Sequence, residues 1–308
     1  MGNRLRGKVA IVTGAGRGIG RGMAMLMAAE GAAVVVNDLG GGIDGSGAAS
    51  SAADDVVAEI RAAGGQAAAS YDSVADFASA GRIIETAVKE FGRIDVLVNN
   101  AGILRDRMIF NLSEEDWDAV IAVHLTGTFN CTRHAVSRMR QQRSGRVISM
   151  SSTSGLYGNS GQANYGAAKD GIAGFTRAIA RDLAAYDITA NAIAPAAATR
   201  MTATVSDRTR QIRQERGTAL ATGRTLAVAN LDPDDVAPFA TYLASDAAQG
   251  VSGQTFVVMG GIVSLLNPPA PARTISIGGR WTAEEIALLF PRTLGMDLVN
   301  PAPPQPPK

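Results

Sequence analysis

Tyr165 and Lys169 stand four residues apart in Asn164-Tyr-Gly-Ala-Ala-Lys169, and on a helix that spacing puts both on one face. A phenol and an ammonium so placed suit proton transfer at an oxygen atom. Reducing a carbonyl needs a proton donor where negative charge builds, and the reverse reaction needs a base at the same point. A free tyrosine titrates near ~10, too high to serve as a base at neutral pH. A nearby lysine ammonium is expected to favour the phenolate and bring that value down. Most tyrosine–lysine neighbours on helices are merely solvated, so the rest of the chain must give this pair its meaning.

The first candidate partner is a glycine turn, Thr13-Gly-Ala-Gly-Arg-Gly-Ile-Gly20, directly after the apolar run Val9–Val12. Gly14, Gly18 and Gly20, with Arg17 and Ile19 between them, follow a strand and open a helix, the setting in which backbone approaches a pyrophosphate. The helix N-terminus then offers free N–H groups and partial positive charge to the phosphates. A purely structural strand-to-helix turn has the same composition. Asp38 closes the second apolar run, Val34-Val-Val-Asn-Asp38; its carboxylate suits ribose hydroxyls and repels a 2′-phosphate. Arg17 argues the other way, since a guanidinium pairs with phosphate. Desolvating Asp38 against a dianion outweighs one exposed pairing, which predicts NAD over NADP. The alternative for Asp38 is a residue that only caps a turn.

These residues need a frame. Short β-branched runs recur at Val9–Val12, Val34–Val36, Val96–Val98, Val147–Met150, Thr189–Ile193 and Thr255–Val258. Between them lie alanine-rich stretches with helical spacing, such as Arg21–Glu30, Ala52–Ala63 and Ile83–Phe91. Strand–helix alternation implies a parallel sheet with helices on both faces, an α/β doubly wound, Rossmann-type architecture. The strands are continuously apolar, as burial on both sides requires. Residues 1–266 are expected to form this one domain and residues 267–308 a proline-rich C-terminal extension, in which Thr282 and Glu285 have capping-box spacing ahead of a helix to Phe290. Ala196–Gly223, with arginines at 200, 208, 210, 213 and 216, reads as a flap or a short solvent-facing helix.

With Thr13–Gly20 and Tyr165-x-x-x-Lys169 in place, Asn99-Asn-Ala-Gly102 after Val96–Val98 completes a pattern that resembles the classical short-chain dehydrogenases/reductases over roughly Leu5 to Gly261. The resemblance implies an NAD(P)-dependent oxidoreductase acting on CH–OH groups. It assigns Tyr165 as acid/base, Lys169 to the nicotinamide ribose and the tyrosine's pKa, and Ser152, thirteen residues before the tyrosine, to the substrate oxygen in preference to Ser151 or Ser154. It also implies that Asn99 through Gly102, including Ala101, line the ribose and pyrophosphate side of the cofactor. Asp72, with Ser73 beside it in Tyr71-Asp-Ser-Val74, would meet the adenine; Asp-Ser is equally ordinary turn chemistry. Two departures stand out. His124, in Ala122-Val-His-Leu-Thr-Gly127, takes the place of the family's relay asparagine, either as a two-nitrogen relay or as a packed histidine at a helix kink. Pro195-Ala196 replaces the family's Pro-Gly near the nicotinamide amide, with Thr199 as a further contact.

Several strings, among them Asn37-Asp-Leu-Gly-Gly41, NNAGILRD over Asn99–Asp106, and LYGNSGQANY over Leu156–Tyr165, resemble the (3R)-hydroxyacyl-CoA dehydrogenase unit of multifunctional β-oxidation enzymes. His124 belongs to that same resemblance. It implies NAD-linked interconversion of 3-hydroxyacyl-CoA and 3-oxoacyl-CoA in lipid metabolism. The alternatives are an NADP-dependent 3-oxoacyl-carrier-protein reductase, a steroid or secondary alcohol dehydrogenase, and, in another class, a non-catalytic nucleotide-binding regulator, which loss of Tyr165 or Lys169 would favour. Arginines 208–216 either meet a CoA phosphate or form a solvated basic face. Family members are commonly homodimers or homotetramers, which is the expectation here.

The bulk properties exclude other classes. A formal charge of +1 suggests no nucleic-acid partner. One cysteine, Cys131, with His134 at helical spacing, makes neither a disulfide nor a metal site, so no metal is expected. The N-terminal apolar stretch is a strand and not a signal peptide, and nothing reaches the ~18 apolar residues of a membrane span. A cytoplasmic protein acting on a small molecule, away from membranes, is the resulting expectation.

Overall fold

The computed structural model describes residues 3–47, 51–197 and 231–298. Chain order runs β1 (Val9–Thr13), α1 (Gly18–Ala29), β2 (Ala33–Asn37), α2 (Ser51–Ala62), β3 (Gln66–Ser70), α3 (Phe77–Phe91) and β4 (Val96–Asn99). The second half follows with α4 (Glu114–Ile121), α5 (Gly127–Gln142), β5 (Gly145–Met150), α6 (Thr153–Tyr157), α7 (Ala163–Leu183) and β6 (Ile188–Pro195). After the break come α8 (Ala237–Ala244), β7 (Thr255–Met259), β8 (Ile262–Leu265) and α9 (Ala283–Leu289).

The strands form one eight-stranded sheet in the order β3-β2-β1-β4-β5-β6-β7-β8. The first seven pair in parallel; β8 pairs antiparallel with β7 as an edge hairpin. Alternate residues of β1 feed opposite cores. Ala10 and Val12 pack with α1 and α8 residues such as Met23 and Leu243, while Val9 and Ile11 pack with α3 and α5 residues such as Ile83 and Met139. Both faces of the central strands are therefore buried, and the six predicted strands all form, each within two residues of the expected ends. Two strands escaped the sequence. β3 reads Gln-Ala-Ala-Ala-Ser, with no β-branched residue, and holds its place by pairing with β2.

The order of strands reverses between β1 and β4, so the chain leaves a crevice at their carboxyl ends. Ends of helices are managed by expected devices. Asp76 accepts the Ser79 N–H at the start of α3, and Gly92, left-handed at φ 81°, closes it. Thr282 and Glu285 make the capping box of α9. Among the described residues from Gly261 to Leu298, none is buried.

Candidate active site

The crevice is a cavity of about 420 Å³. Gly14, Arg17, Gly18, Ile19 and Gly20 line one side of it, Asp38, Asp72 and Ser73 another, and Ala101 and Gly102 a third. Ten of the predicted contacts are thus brought together. The loop after β1 is shaped for backbone approach. Gly14 is left-handed (φ 63°) and a Cβ there would lie 2.8 Å from the Ala101 Cα. A Cβ on Gly20 would run into the Gly14 carbonyl oxygen. Arg17, the residue capping α1, makes no side-chain capping bond, so no side chain takes the first-turn N–H groups that suit an anion.

Asp38 is held at both carboxylate oxygens. Gly16 N–H donates to one at 2.8 Å and Gly40 N–H to the other at 2.7 Å. It therefore caps its turn, the alternative expected of it, and also lines the cavity. Asp72 carries an ion pair with Arg82 at 2.7 Å, and its carbonyl accepts from Asn37 Nδ2 at 2.9 Å.

Asn99 is placed differently from the expectation. It lies under the cavity and not on its wall: its Nδ2 donates to Thr132 Oγ1 (3.0 Å) and Ser149 Oγ (3.2 Å) in the sheet's interior. The strand ends at Asn99, so the side chain of the next residue turns upward. Asn100 Nδ2 donates to the Thr13 and Gly14 carbonyls at 2.9 and 3.0 Å, and Thr13 Oγ1 accepts from Asn100 and Ala101 N–H. Asn100 thus clamps β4 to the glycine loop. Sequence reasoning also missed the segment from Leu39 to Gly47, which roofs the cavity. Ile43 carbonyl accepts from Leu104 N–H at 2.9 Å and Arg105 Nε donates to the Asp44 carbonyl at 3.0 Å. Its glycine richness signalled a loop but not where it would lie. Pro195, at the end of β6, is not on the cavity wall. Thr199 and the arginines at 200–216 lie outside the described residues.

Beside the cavity sits the second cluster. Tyr165 and Lys169 are one turn apart on α7, and the Lys169 Nζ is 5.6 Å from the Tyr165 ring centroid. Ser152 follows β5 directly and hydrogen-bonds the Tyr165 hydroxyl. Its Oγ also accepts from Ser154 N–H at 3.1 Å, starting α6. Ser151 is committed elsewhere, donating to the Lys169 carbonyl at 2.8 Å. Lys169 Nζ donates to the Met150 carbonyl at 2.6 Å.

The net pKa of Tyr165 runs opposite to the expected direction. Burial pushes the phenol up to about 12, opposed by the Ser152 hydrogen bond and aided by Asp106. Burial likewise pushes Lys169 down to about 7, so the ammonium meant to favour the phenolate is itself discouraged. Desolvation outweighs pair attraction here.

His124 lies in a π-helical turn, Ala122–Thr126, between α4 and α5. It is fully buried, its ring edge-on to Tyr165 at 5.1 Å between centroids. Nε2 lies 3.0 Å from Ile103 N and 2.8 Å from Ile103 O, so one tautomer accepts and the other donates. Nδ1 has no hydrogen-bond partner among the described residues. Burial, then Lys169, pushes the imidazole down to about 3, against the Ile103 bond, so it is neutral at physiological pH. A Cβ on Gly102 would run into this ring, which explains that glycine by packing. Cys131 is a buried core thiol, pushed up to about 12 by burial.

Residues 8–211 match the family model of the short chain dehydrogenases, and the chain belongs to that family. The short chain dehydrogenases are oxidoreductases that use NAD(P). It is 55% identical over 199 residues to the peroxisomal multifunctional enzyme type 2 of Drosophila melanogaster, covering 65% of this chain and 33% of that protein. The chain therefore spans about a third of that relative's length, and 22% of the peroxisomal hydratase-dehydrogenase-epimerase of Neurospora crassa. Matches along most of both chains are the hydroxyacyl-CoA dehydrogenase ChsB1 of Mycobacterium tuberculosis (42% identity, 92% and 87% covered) and the 3-oxoacyl-acyl-carrier-protein reductase of Synechocystis (44%, 84% and 98%). A short chain dehydrogenase from Mycobacterium avium superposes with a TM-score of 0.80 at 44% identity, covering 99% of this chain and 98% of that one. The resemblance to the dehydrogenase unit of the multifunctional enzymes is thus borne out.

Proposed function

We propose that this enzyme interconverts 3-hydroxyacyl and 3-oxoacyl thioesters of CoA with NAD. The observation that carries the reading is the Ser152–Tyr165–Lys169 cluster standing beside a dinucleotide-shaped cavity with Asp38 on its wall. The residues present fit the cofactor: the glycine cradle admits no Cβ at Gly14 or Gly20, and the first turn of α1 lacks a side-chain cap. Gly14 through Gly20 would hold the pyrophosphate, Asp38 the adenosine ribose, Asp72 and Ser73 the adenine end, and Lys169 the nicotinamide ribose. When bound, the nicotinamide supplies the hydride acceptor or donor. Ser152 positions the substrate oxygen by a hydrogen bond; Tyr165 gives or takes the proton at that oxygen; Lys169 supports the tyrosine's charge. His124 holds the Ile103 peptide and the flank of Tyr165.

His124→Ala is expected to cost stability, about 2–4 kcal/mol from the cavity and the unpaired Ile103 peptide. Its turnover should fall by less than the ~10²-fold that marks a proton-transferring group. A loss in kcat equal to that of Tyr165→Phe would assign His124 a direct part in the relay.

The thioester reading is supported by the names of relatives matched along most of their length. The carrier-protein reductase reading has its own support in Arg17, exposed on the cavity wall, and in the Synechocystis match. Initial rates separate them: kcat/KM with NAD+ should exceed that with NADP+ by ten-fold or more, on the order of one lost charge-paired hydrogen bond. Equal efficiency, or a preference for NADP+, overturns the NAD assignment. Steroid and simple secondary alcohols remain as alternative substrates, and a homodimer or homotetramer as the assembly, which the half-exposed Phe77 and Phe129 rings favour. Among the described residues no helix is long and apolar enough to cross a membrane. Relatives with peroxisomal names set a peroxisomal compartment beside the cytoplasmic expectation.

A further inference from the structure

Between β4 and α4 the chain runs Arg105-Asp-Arg-Met-Ile-Phe-Asn111 along the approach to α7. Residues just before Tyr165 stitch it in place. Asn164 Nδ2 donates to the Arg105 carbonyl at 3.0 Å, Gln162 Nε2 donates to Asp106 Oδ2 at 2.8 Å, and Arg107 forms an isolated parallel bridge with Gln162. Ser160 Oγ lies 3.7 Å from the Met108 sulfur. Past this anchored stretch the chain makes a single 3₁₀ turn, Ile109–Asn111, with no buried residue. Met108 is 39% exposed, Ile109 66% and Phe110 75%. Single exposed apolar side chains are ordinary, but three consecutive large ones on one short turn call for an occupant.

We propose that Met108, Ile109 and Phe110 are the acyl-tail rest of the active site and set its preference for long chains. The inference rests on the thioester reading above and extends it to chain length. The occupant is chosen by position and chemistry. Gln162 and Asn164 lie three and one residues before Tyr165 at the start of α7 and fix the turn relative to it, so a substrate whose oxygen meets Tyr165 and Ser152 has its tail within the same rim. The patch is purely apolar. The adjacent Arg107 guanidinium is engaged with the Asp106 carbonyl and lies 4.0 Å from Asp116, so the turn is shaped for hydrocarbon and not for the phosphates of CoA.

Each methylene moved from water onto apolar surface is worth about fourfold in affinity. In the wild-type enzyme kcat/KM should therefore climb along 3-hydroxybutyryl-, octanoyl-, dodecanoyl- and hexadecanoyl-CoA. The double variant Ile109→Ser, Phe110→Ser should lose about 30-fold on the hexadecanoyl substrate and less than about twofold on the butyryl one. Phe110→Leu should keep most of the slope. Both changes replace exposed side chains, and an unchanged Tm checks the fold. Equal losses at every length, or no loss, overturn the proposal. Uniform loss accompanied by a smaller species in light scattering overturns it in favour of a contact between copies. A parallel series of 2-alkanols separates the two levels of the argument. Turnover of alkanols but not thioesters rejects the thioester reading, while the alkanol slope still decides for or against the turn.

Discussion

Tyr165→Phe is expected to lower kcat by at least ~10³-fold while leaving cofactor affinity within a few-fold of wild type. The change removes one oxygen atom from a side chain that is one turn from Lys169 and hydrogen-bonded to Ser152. No other described hydroxyl at the site stands in the same relation to both. General acid–base groups contribute about 10²–10⁴-fold, and here the phenol also organises Ser152, so the upper part of that range is expected. Because burial holds the phenol up to about 12, carbonyl reduction, which uses the protonated form, should be flat through neutral pH. Alcohol oxidation, which uses the phenolate, should rise with pH well past neutrality. Initial rates in both directions across pH, with fluorescence titration of the dinucleotide, check all three statements. A variant retaining a tenth of the wild-type kcat would remove Tyr165 from the proton's path.

Lys169→Met should cost activity nearly as severely, about 10²–10⁴-fold in kcat, and it carries a second signature in stability. The folded-state value of Lys169, about 7, lies below its ordinary 10.5. Between those values the unfolded chain holds a proton that the folded chain has released, so stability rises with pH through that window. Below about 7 both states are charged and the burial cost is felt in full. Methionine removes the titrating group, so the Tm of the variant should lose its rise between pH 7 and 10. Tyr165 shifts in the other sense, and its effect falls only between its ordinary 10 and about 12, outside that range. Burial lifts the Cys131 thiol from 9.0 to about 12 and lowers stability above about pH 9 in wild type and variant alike, so the difference between their thermal scans reports on the lysine. An unaltered slope in the variant would mean that Lys169 is not buried uncharged, and unaltered kcat would remove it from the site.

The parallel sheet was legible because its strands are apolar on both faces, leaving a pattern that only double burial explains. The glycine loop was legible because Gly14 and Gly20 answer a steric demand that no other residue meets. What the sequence concealed depends on contacts between distant segments. β3 is a run of alanines whose strand state comes from β2, and β8 reverses direction through Gly260, left-handed at φ 51°. Two adjacent asparagines look equivalent in the sequence, yet Asn99 points into the sheet and Asn100 to the glycine loop, since strand side chains alternate. The pKa of Tyr165 could not be read from spacing. Four residues put Lys169 beside it, but the depth of burial, which no motif encodes, decides the direction. His124 was visible as a departure; that it is neutral, and bound to one peptide through one nitrogen, needed the packed structure.

On the proposed function, Tyr165 moves the proton while hydride passes between the nicotinamide and a 3-hydroxyacyl thioester. Following nicotinamide absorbance on mixing wild-type protein and Tyr165→Phe with NAD+ and the (3R)- and (3S)-3-hydroxyacyl-CoAs tests it most directly. NADH is expected from wild type with the (3R) thioester, little with the (3S), and almost none from the variant. NADH formed at similar rates by both proteins, or formed by wild type from simple alcohols and from no thioester, would contradict it.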